Sequence, residues 1–223
     1  MSAPTLEVTF DASGAAEAGR RGRVVCIVDV VDASTTAEAA LAGGAIAVLG
    51  AAPAEADPPV PVRPDAVGMR AVAIAAGRGA DVVVAAEPRV GSNEERLARA
   101  QPVLQAVEGA GLEWELVANQ GAEIGGLTKL QGRVVVVVST TGGAAYDAAL
   151  AAGAPAACFA TTARVEGRTG WEVADLGVQR LLALAKEHGA DPTIVAASAN
   201  SADDCLAAFE LGRRLIETGF LRP

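Results

Sequence analysis

Short apolar runs rich in β-branched residues alternate with helix-like segments along the whole chain. The clearest run is the valine stretch at residues 134–138, which no polar residue interrupts. Strands that are apolar on both faces are typical of parallel sheets covered by helices on both sides. We therefore predict an α/β fold, a three-layer α/β/α sandwich built on a largely parallel sheet. The predicted strands are residues 6–10, 23–31, 45–49, 81–86, 114–118, 133–139, 155–161 and 192–198, and the predicted helices are residues 36–42, 92–109, 143–152, 171–188 and 202–218.

The length of 223 residues suits one compact domain, and we predict a single domain over residues 1–223. Residues 51–63 are rich in proline, alanine and acidic residues, which favours a surface loop over a domain boundary because periodic structure resumes after them. Ser92 and Glu95 have the spacing of a helix capping box. His188 followed by Gly189 is typical of a helix C-terminus.

Charge and composition restrict the partners. The chain has 18 Lys and Arg against 27 Asp and Glu, a net charge of −9, and no basic tract, which argues against nucleic-acid binding. Aromatic residues make up only 3%, so stacking platforms for bases or flavins are few and a small polar or phosphorylated ligand is favoured. We find neither a signal-peptide pattern nor an apolar membrane span, and we expect a soluble cytoplasmic protein without membrane contacts.

The cysteines and the single histidine exclude several kinds of site. Cys26, Cys158 and Cys205 are far apart in apolar contexts, so we predict reduced, buried packing residues and no disulfide or zinc framework. One histidine excludes a multi-histidine metal cluster and makes a Ser-His-Asp triad a poor candidate.

Two segments of the chain resemble each other. In residues 27–45 and 134–161 an apolar run is followed by Ser-Thr-Thr, a helical pattern, glycine and another apolar run, and residues 195–204 have the same outline. Turns that leave parallel strands and enter helices line the ligand crevice of α/β folds. Free N–H groups at helix starts bind anions, and hydroxyls add donors, although Ser and Thr in such turns also serve as simple N-caps.

Carboxylates accompany these turns. Asp29 and Asp32 follow one apolar run, and Asp203 and Asp204 open the last predicted helix, where acidic residues are also favoured by the helix dipole alone. Asp29 is the strongest candidate, because a carboxylate in an apolar strand is costly to bury without a cation or donors. Hard oxygen ligands beside a phosphate site suit Mg²⁺.

At these residues the chain resembles the 2-phosphosulfolactate phosphatase family. The family motifs Asp-x-x-Arg-Ala-Ser/Thr-Thr-Thr, Thr-Thr-Asn-Gly-Thr and Glu-Asp-x-x-x-Ala-Gly match residues 29–36, 139–143 and 203–209 in the same order. Residues 118–123 and Glu87 match the family's Asn-Ser-Pro and Gly-Glu blocks more weakly. The resemblance implies a Mg²⁺-dependent phosphatase of the type that acts in coenzyme M biosynthesis, with a small phosphorylated hydroxy acid as substrate.

Together these patterns predict the site. Asp29, Asp32 and Asp204 are the predicted catalytic residues, and Asp29, Asp203 and Asp204 are the predicted Mg²⁺ ligands. The predicted substrate-binding residues are Ser34, Thr35, Thr36, Asn119, Ser139, Thr140, Thr141, Gly142 and Gly143.

Two predicted site residues depart from the family motifs. Asp32 stands where the family has arginine, and Gly142 stands where it has asparagine. Exchanging a positive for a negative charge about 5 Å from a phosphate changes the interaction by about 6 kcal/mol at an effective dielectric constant near 20. The alternative function is therefore a family member that binds a small anionic ligand without hydrolysing it. A homo-oligomeric assembly module is a third interpretation, since Ala- and Gly-rich helix faces pack closely.

Overall fold

The structure is a computed structural model and describes residues 4–221. Strands and helices alternate through these residues, and a short 3-10 helix at Gly121–Gly126 follows the fifth strand. The elements are β1 (Glu7–Phe10), α1 (Asp11–Arg20), β2 (Val24–Val28), α2 (Ala33–Ala42), β3 (Ala47–Ala51), α3 (Pro64–Ala76), β4 (Val82–Ala86), α4 (Asn93–Gly109), β5 (Trp114–Ala118), β6 (Val134–Val138), α5 (Gly142–Ala151), β7 (Ala157–Phe159), α6 (Gly170–His188), β8 (Pro192–Ala196) and α7 (Ala202–Glu217).

The strands form two all-parallel sheets of four strands each, in the orders β1-β8-β2-β7 and β3-β6-β4-β5. Helices α6 and α7 cover one face of the first sheet, and α3 and α4 cover one face of the second. Helices α2 and α5 lie between the sheets and contact both, while α1 packs on α5 and the first sheet. The α/β/α sandwich is therefore confirmed, with two parallel sheets that share a middle layer of helices.

The two similar segments of the sequence connect these sheets in opposite directions. The unit β2-α2-β3 runs from the first sheet to the second, and β6-α5-β7 runs from the second sheet to the first. Their strands also pair across the repeat, β7 with β2 and β3 with β6. Consequently the carboxyl ends of β2 and β6, one from each sheet, both lead into the middle helices.

Small side chains allow the close packing of the middle layer. A Cβ atom at Gly19 of α1 would lie 2.4 Å from the carbonyl oxygen of Ala149 in α5, so only glycine permits this approach. The same small residues explain why α1 and α3 were not predicted. The buried residues of α1 are three alanines and Gly19, which give no large apolar side chains at helical spacing.

Most of the other predictions from sequence are confirmed. All eight predicted strands and five predicted helices are present, the Ser92–Glu95 capping box forms, and Gly189 ends α6 in the left-handed conformation. Residues 52–63 form a loop without regular structure. Cys26 and Cys158 are buried free thiols, but Cys205 is only partly buried, so that prediction is wrong for Cys205. Over residues 4–221, no helix is both long enough and apolar enough to cross a membrane.

Asp147, a buried carboxylate in α5, forms hydrogen bonds with both ends of the loop before α3 and makes the stability of the protein depend on pH. Asp147 accepts hydrogen bonds from the backbone N–H groups of Arg63 (2.6 Å) and Ala52 (3.2 Å), and burial raises the pKa of Asp147 from 3.8 to about 6. The folded state then holds a proton that the unfolded state releases, so this group's contribution to stability is present below pH 3.8 and is lost as the pH rises to about 6.

At about 1.4 kcal/mol per pH unit, Asp147 lowers the free energy of unfolding by up to about 3 kcal/mol across this range. We expect Asp147→Asn to remove that fall when urea unfolding is measured at pH 4, 5, 6 and 7. Asp57→Asn, which changes an exposed carboxylate of the loop at residues 52–63, is the matched control. Equal pH slopes for Asp147→Asn and the wild type would show that the carboxylate does not titrate here.

Candidate functional site

Polar residues directly follow four strands at the edge where both sheets meet the middle helices. Asp29 follows β2, Glu87 follows β4, Asn119 follows β5 and Ser139 follows β6. In the second sheet, Ala86 lies in register with Ala118 and Val138, so Glu87, Asn119 and Ser139 occupy one level. The carboxyl ends of parallel strands are the usual position of ligand sites in α/β folds.

Asp29 is fixed between the two middle helices. Its side chain is 2% exposed, and its Oδ2 atom accepts hydrogen bonds from the Thr141 hydroxyl and the Gly142 backbone N–H, both at 2.7 Å. Its own backbone N–H donates to the Ser34 hydroxyl at 2.8 Å. Burial raises the pKa of Asp29, and the bonds from Thr141 and Gly142 oppose that increase. The carboxylate thus occupies the N-terminus of α5, where the helix dipole favours negative charge.

Gly142 lacks a side chain because Asp29 fills that space. A Cβ atom at residue 142 would lie 2.6 Å from Asp29 Oδ2 and 2.8 Å from the Cβ of Ala33. The asparagine of the family motif therefore does not fit here without displacing Asp29. Glycine at residue 142, where the family motif has asparagine, is therefore explained by the position of the Asp29 carboxylate.

We expect Gly142→Ala to displace Asp29 and destabilise the protein by about 1–3 kcal/mol, the usual cost of an added methyl group in a packed interior. Chemical denaturation measures the change. Gly109→Ala at the end of α4 is the matched control, because no atom lies within 4 Å of its added Cβ. A Gly142→Ala variant as stable as Gly109→Ala would contradict the tight contact.

The first Ser-Thr-Thr block lies within α2, because the helix begins at Ala33, earlier than predicted. The Ser34 hydroxyl donates to the Ile27 carbonyl (2.9 Å), and the Thr35 hydroxyl donates to the Val30 carbonyl (2.7 Å). The Thr36 hydroxyl donates to Asn119 Oδ1 (2.5 Å). All three side chains are buried, and their hydroxyls bond to the protein itself.

The second Ser-Thr-Thr block precedes its helix. Ser139 is buried and its Oγ accepts from the Gly143 N–H at 2.8 Å, while the Thr140 N–H and hydroxyl both donate to Glu87 Oε2 at 3.1 Å. The two blocks are therefore not equivalent in position, although their sequences match. The N–H groups predicted to hold an anion at Thr140 and Gly142 already bond to the carboxylates of Glu87 and Asp29.

Asn119 has an unused donor. It is 1% exposed, its Oδ1 accepts from Thr36, and its Nδ2 atom has no hydrogen-bond partner among residues 4–221. Buried amide groups are rarely left unpaired, because an unmade hydrogen bond costs about 1–3 kcal/mol. Among the predicted binding residues, Asn119 is thus one with a donor available to a ligand or a water molecule.

Asp32 forms an ion pair with Arg89 that neutralises its negative charge. Arg89, two residues after Glu87, places its Nη1 atom 3.0 Å from Asp32 Oδ1 and 3.2 Å from Asp32 Oδ2. The Arg89 side chain remains 48% exposed, whereas Asp32 is 13% exposed. Burial raises the pKa of Asp32, and Arg89 opposes that increase. A guanidinium group therefore adjoins residue 32 although the residue itself is acidic.

The acidic pair at the start of α7 divides between two environments. Asp204 is buried, and its Oδ1 atom accepts from the Val30 N–H at 2.8 Å, which joins α7 to the turn after β2. Burial, together with the neighbouring charges of Asp29 and Asp203, raises the pKa of Asp204 to about 6. Asp203 is exposed and accepts from the Ser201 hydroxyl. The structure thus brings Asp204 close to Asp29 and leaves Asp203 at the surface.

The carboxylates of Asp29 and Asp204 could bind a Mg²⁺ ion that takes most of its ligands from water and substrate. Within residues 4–221, no group of three or more His, Cys, Asp or Glu side chains is arranged to hold a metal ion. Mg²⁺ usually uses one or two carboxylates and takes its other ligands from water and substrate phosphate. Asp29 and Asp204 supply such a donor pair: besides burial, the charge of Asp29 raises the pKa of Asp204, and a cation between the two carboxylates would relieve that repulsion.

Two functional candidates were missing from the predicted site. Glu87 matches a family block only weakly, and Arg89 belongs to none of the motifs. Their position in the sequence could have indicated them. Both follow the carboxyl end of the buried strand β4, where charged residues lie at the ligand crevice of α/β folds.

The fold and this crevice define an α/β protein with a site of carboxylates and hydroxyls beside two arginines, Arg89 at Asp32 and Arg99 at Glu87. No protein-family model matches the chain, and no curated protein is significantly similar to it. The assignment of a function therefore depends on the site itself.

Proposed function

We propose that this chain is a Mg²⁺-dependent phosphatase similar to 2-phosphosulfolactate phosphatase, which hydrolyses a small phosphorylated hydroxy acid. The observation that carries the proposal is the position of Asp29, a buried carboxylate held by Thr141 and Gly142 where both sheets meet. The order of the sequence motifs along the chain supports the same function.

Arg89 removes the main electrostatic objection to a phosphorylated substrate. A carboxylate at residue 32 alone would repel phosphate by about 3 kcal/mol at 5 Å and an effective dielectric constant near 20. The Arg89 guanidinium, 3.0 Å from that carboxylate, cancels its charge and keeps half of its own surface exposed. Arginine binds phosphate through several N–H donors, so Arg89 would hold the substrate phosphate.

Asp29 and Asp204 would hold the ion, and Asn119 and Thr141 would orient the substrate. When bound, Mg²⁺ neutralises phosphate charge and lowers the pKa of a coordinated water molecule. Asn119 Nδ2 offers a free donor, and Thr141 is partly exposed at the start of α5. Three further hydroxyls would position these groups without touching the substrate, because they bond within the protein: those of Ser34, Thr36 and Ser139.

The test is ³¹P NMR of 2-phosphosulfolactate and other phosphorylated hydroxy acids incubated with the protein and Mg²⁺. We expect the ester signal to decline while inorganic phosphate accumulates beyond one equivalent per chain. Unchanged ester signals throughout the panel, with protein whose fold is verified by circular dichroism, would contradict a phosphatase.

Anion binding without turnover is the second candidate function. It is favoured by the hydrogen bonds that Asp29 and Glu87 already make with Gly142 and Thr140, since an incoming phosphate finds those donors taken. A bound ester would then stabilise the fold by about 2.7 kcal/mol at one hundred times its dissociation constant and remain intact. Thermal denaturation followed by ³¹P NMR of the same sample distinguishes the two functions.

A further inference from the structure

An apolar groove opens beside the acidic end of the site, between the first turns of α6 and α7. Its volume is about 420 Å³, within the usual range of small-molecule pockets. Its apolar lining is Val30, Trp171, Leu206 and Ala207, and its polar lining includes Thr162, Asp203 and Glu210. Trp171 is 64% exposed and Leu206 is 70% exposed. Two large apolar side chains exposed together in a concave surface favour a ligand that covers them.

The groove is continuous with the candidate site. Val30 directly follows Asp29, and its backbone N–H donates to Asp204, so the groove wall and the buried carboxylates belong to one hydrogen-bonded unit. Asp203 likewise adjoins Asp204 along α7. Besides burial, the charge of Asp203 raises the pKa of Asp29, so a lining residue of the groove lies near the buried carboxylate.

The tryptophan is held in place before any ligand arrives. The Arg214 guanidinium lies 4.4 Å from the centre of the Trp171 ring, a cation–π contact, and Arg214 also bonds to Glu210 of the same helix at 2.8 Å. A ring fixed in this way loses little conformational freedom when a ligand binds.

We propose that this groove holds a short aliphatic substituent of the substrate, so that the substrate class is a phosphorylated hydroxy acid with an apolar side chain. The inference rests on the proposed function for the position of the phosphate. Leu206 and Trp171 are the specificity-determining residues, because they provide the exposed apolar surface that such a group would bury.

Hydrolysis of straight-chain alkyl phosphates from methyl to hexyl tests the groove. Each methylene buried there raises kcat/KM about fourfold, equivalent to about 0.8 kcal/mol. We expect Leu206→Ser to reduce this increase. Ile216→Ser is the matched control, since Ile216 is an exposed apolar residue of the same helix outside the groove. Rates independent of chain length in the wild type would overturn the proposal.

Fluorescence tests the groove without catalysis. The chain has two tryptophans, so Trp114→Phe leaves Trp171 as the only one. We expect hexyl phosphate to shift Trp171 emission to shorter wavelength at concentrations where methyl phosphate causes no shift. That shift without hydrolysis of any ester would support the groove and overturn the proposed function. Hydrolysis without the shift, or a dimer on size-exclusion chromatography that already buries Trp171, would overturn the groove.

Discussion

Asp29→Asn is expected to lower kcat/KM for phosphate release by about 10³-fold or more. The substitution removes a negative charge from the centre of the site, where charge stabilisation is worth several kcal/mol and each 1.4 kcal/mol corresponds to tenfold. The amide oxygen of asparagine still accepts the bonds from Thr141 and Gly142. Steady-state kinetics with saturating Mg²⁺ measures the loss.

The stability of the same variant separates catalysis from folding. Burial raises the pKa of Asp29, so ionising this group costs free energy in the folded state. We therefore expect Asp29→Asn to unfold at the same or a higher denaturant concentration than the wild type. Asp57→Asn, in the loop at residues 52–63, controls for loss of charge. An Asp29→Asn variant with full activity would contradict a catalytic role of Asp29. A variant that is inactive because it is unfolded would show that Asp29 is required for the fold.

The Arg89–Asp32 pair gives the second large effect. Arg89→Ala removes the guanidinium group and leaves the Asp32 carboxylate to repel the substrate, so we expect about 100-fold weaker phosphate binding, seen mainly in KM. The matched control is Arg78→Ala, which removes an exposed arginine from the turn before β4, at the opposite end of that strand from Glu87.

Exchanging the two charges provides the stricter test. The double variant Asp32→Arg/Arg89→Asp places arginine where the 2-phosphosulfolactate phosphatase motif has it and retains the ion pair. We expect it to recover KM to within about tenfold of the wild type, whereas Arg89→Asp alone stays impaired. Failure of the double variant to improve on Arg89→Asp, with both folded, would show that the position of the guanidinium matters more than its charge.

The sequence predicted the strands well because continuous valine runs have few alternatives. Residues 134–138 and 82–86 are buried on both faces, as their composition indicated. The division into two sheets was not predictable, because local patterns do not specify that β2 pairs with β8 and β7 while β3 pairs with β6. Alanine-rich helices such as α1 were missed because their buried face contains no large apolar residues.

The site was predicted in part. Asp29 was predicted from its cost of burial and its motif, and Asp204 from its motif at a helix start; both are buried at the crevice. The roles of the two Ser-Thr-Thr blocks depend on where each helix begins. Helix α2 begins at Ala33 instead of the predicted residue 36, so Ser34 lies inside the helix. Arg89 reaches Asp32 across 57 residues of sequence, a contact that no local spacing indicates.

Metal-dependent turnover of phosphosulfolactate tests the central claim most directly. Phosphate release should be measured from racemic phosphosulfolactate with wild-type protein, first in Mg²⁺ and then with excess chelator, and again after Mg²⁺ is restored. We expect many phosphates released per chain in Mg²⁺, none with chelator and full recovery on readdition. Release that is equal in chelator, or absent from folded protein in Mg²⁺, would contradict a Mg²⁺-dependent phosphatase at the Asp29 site.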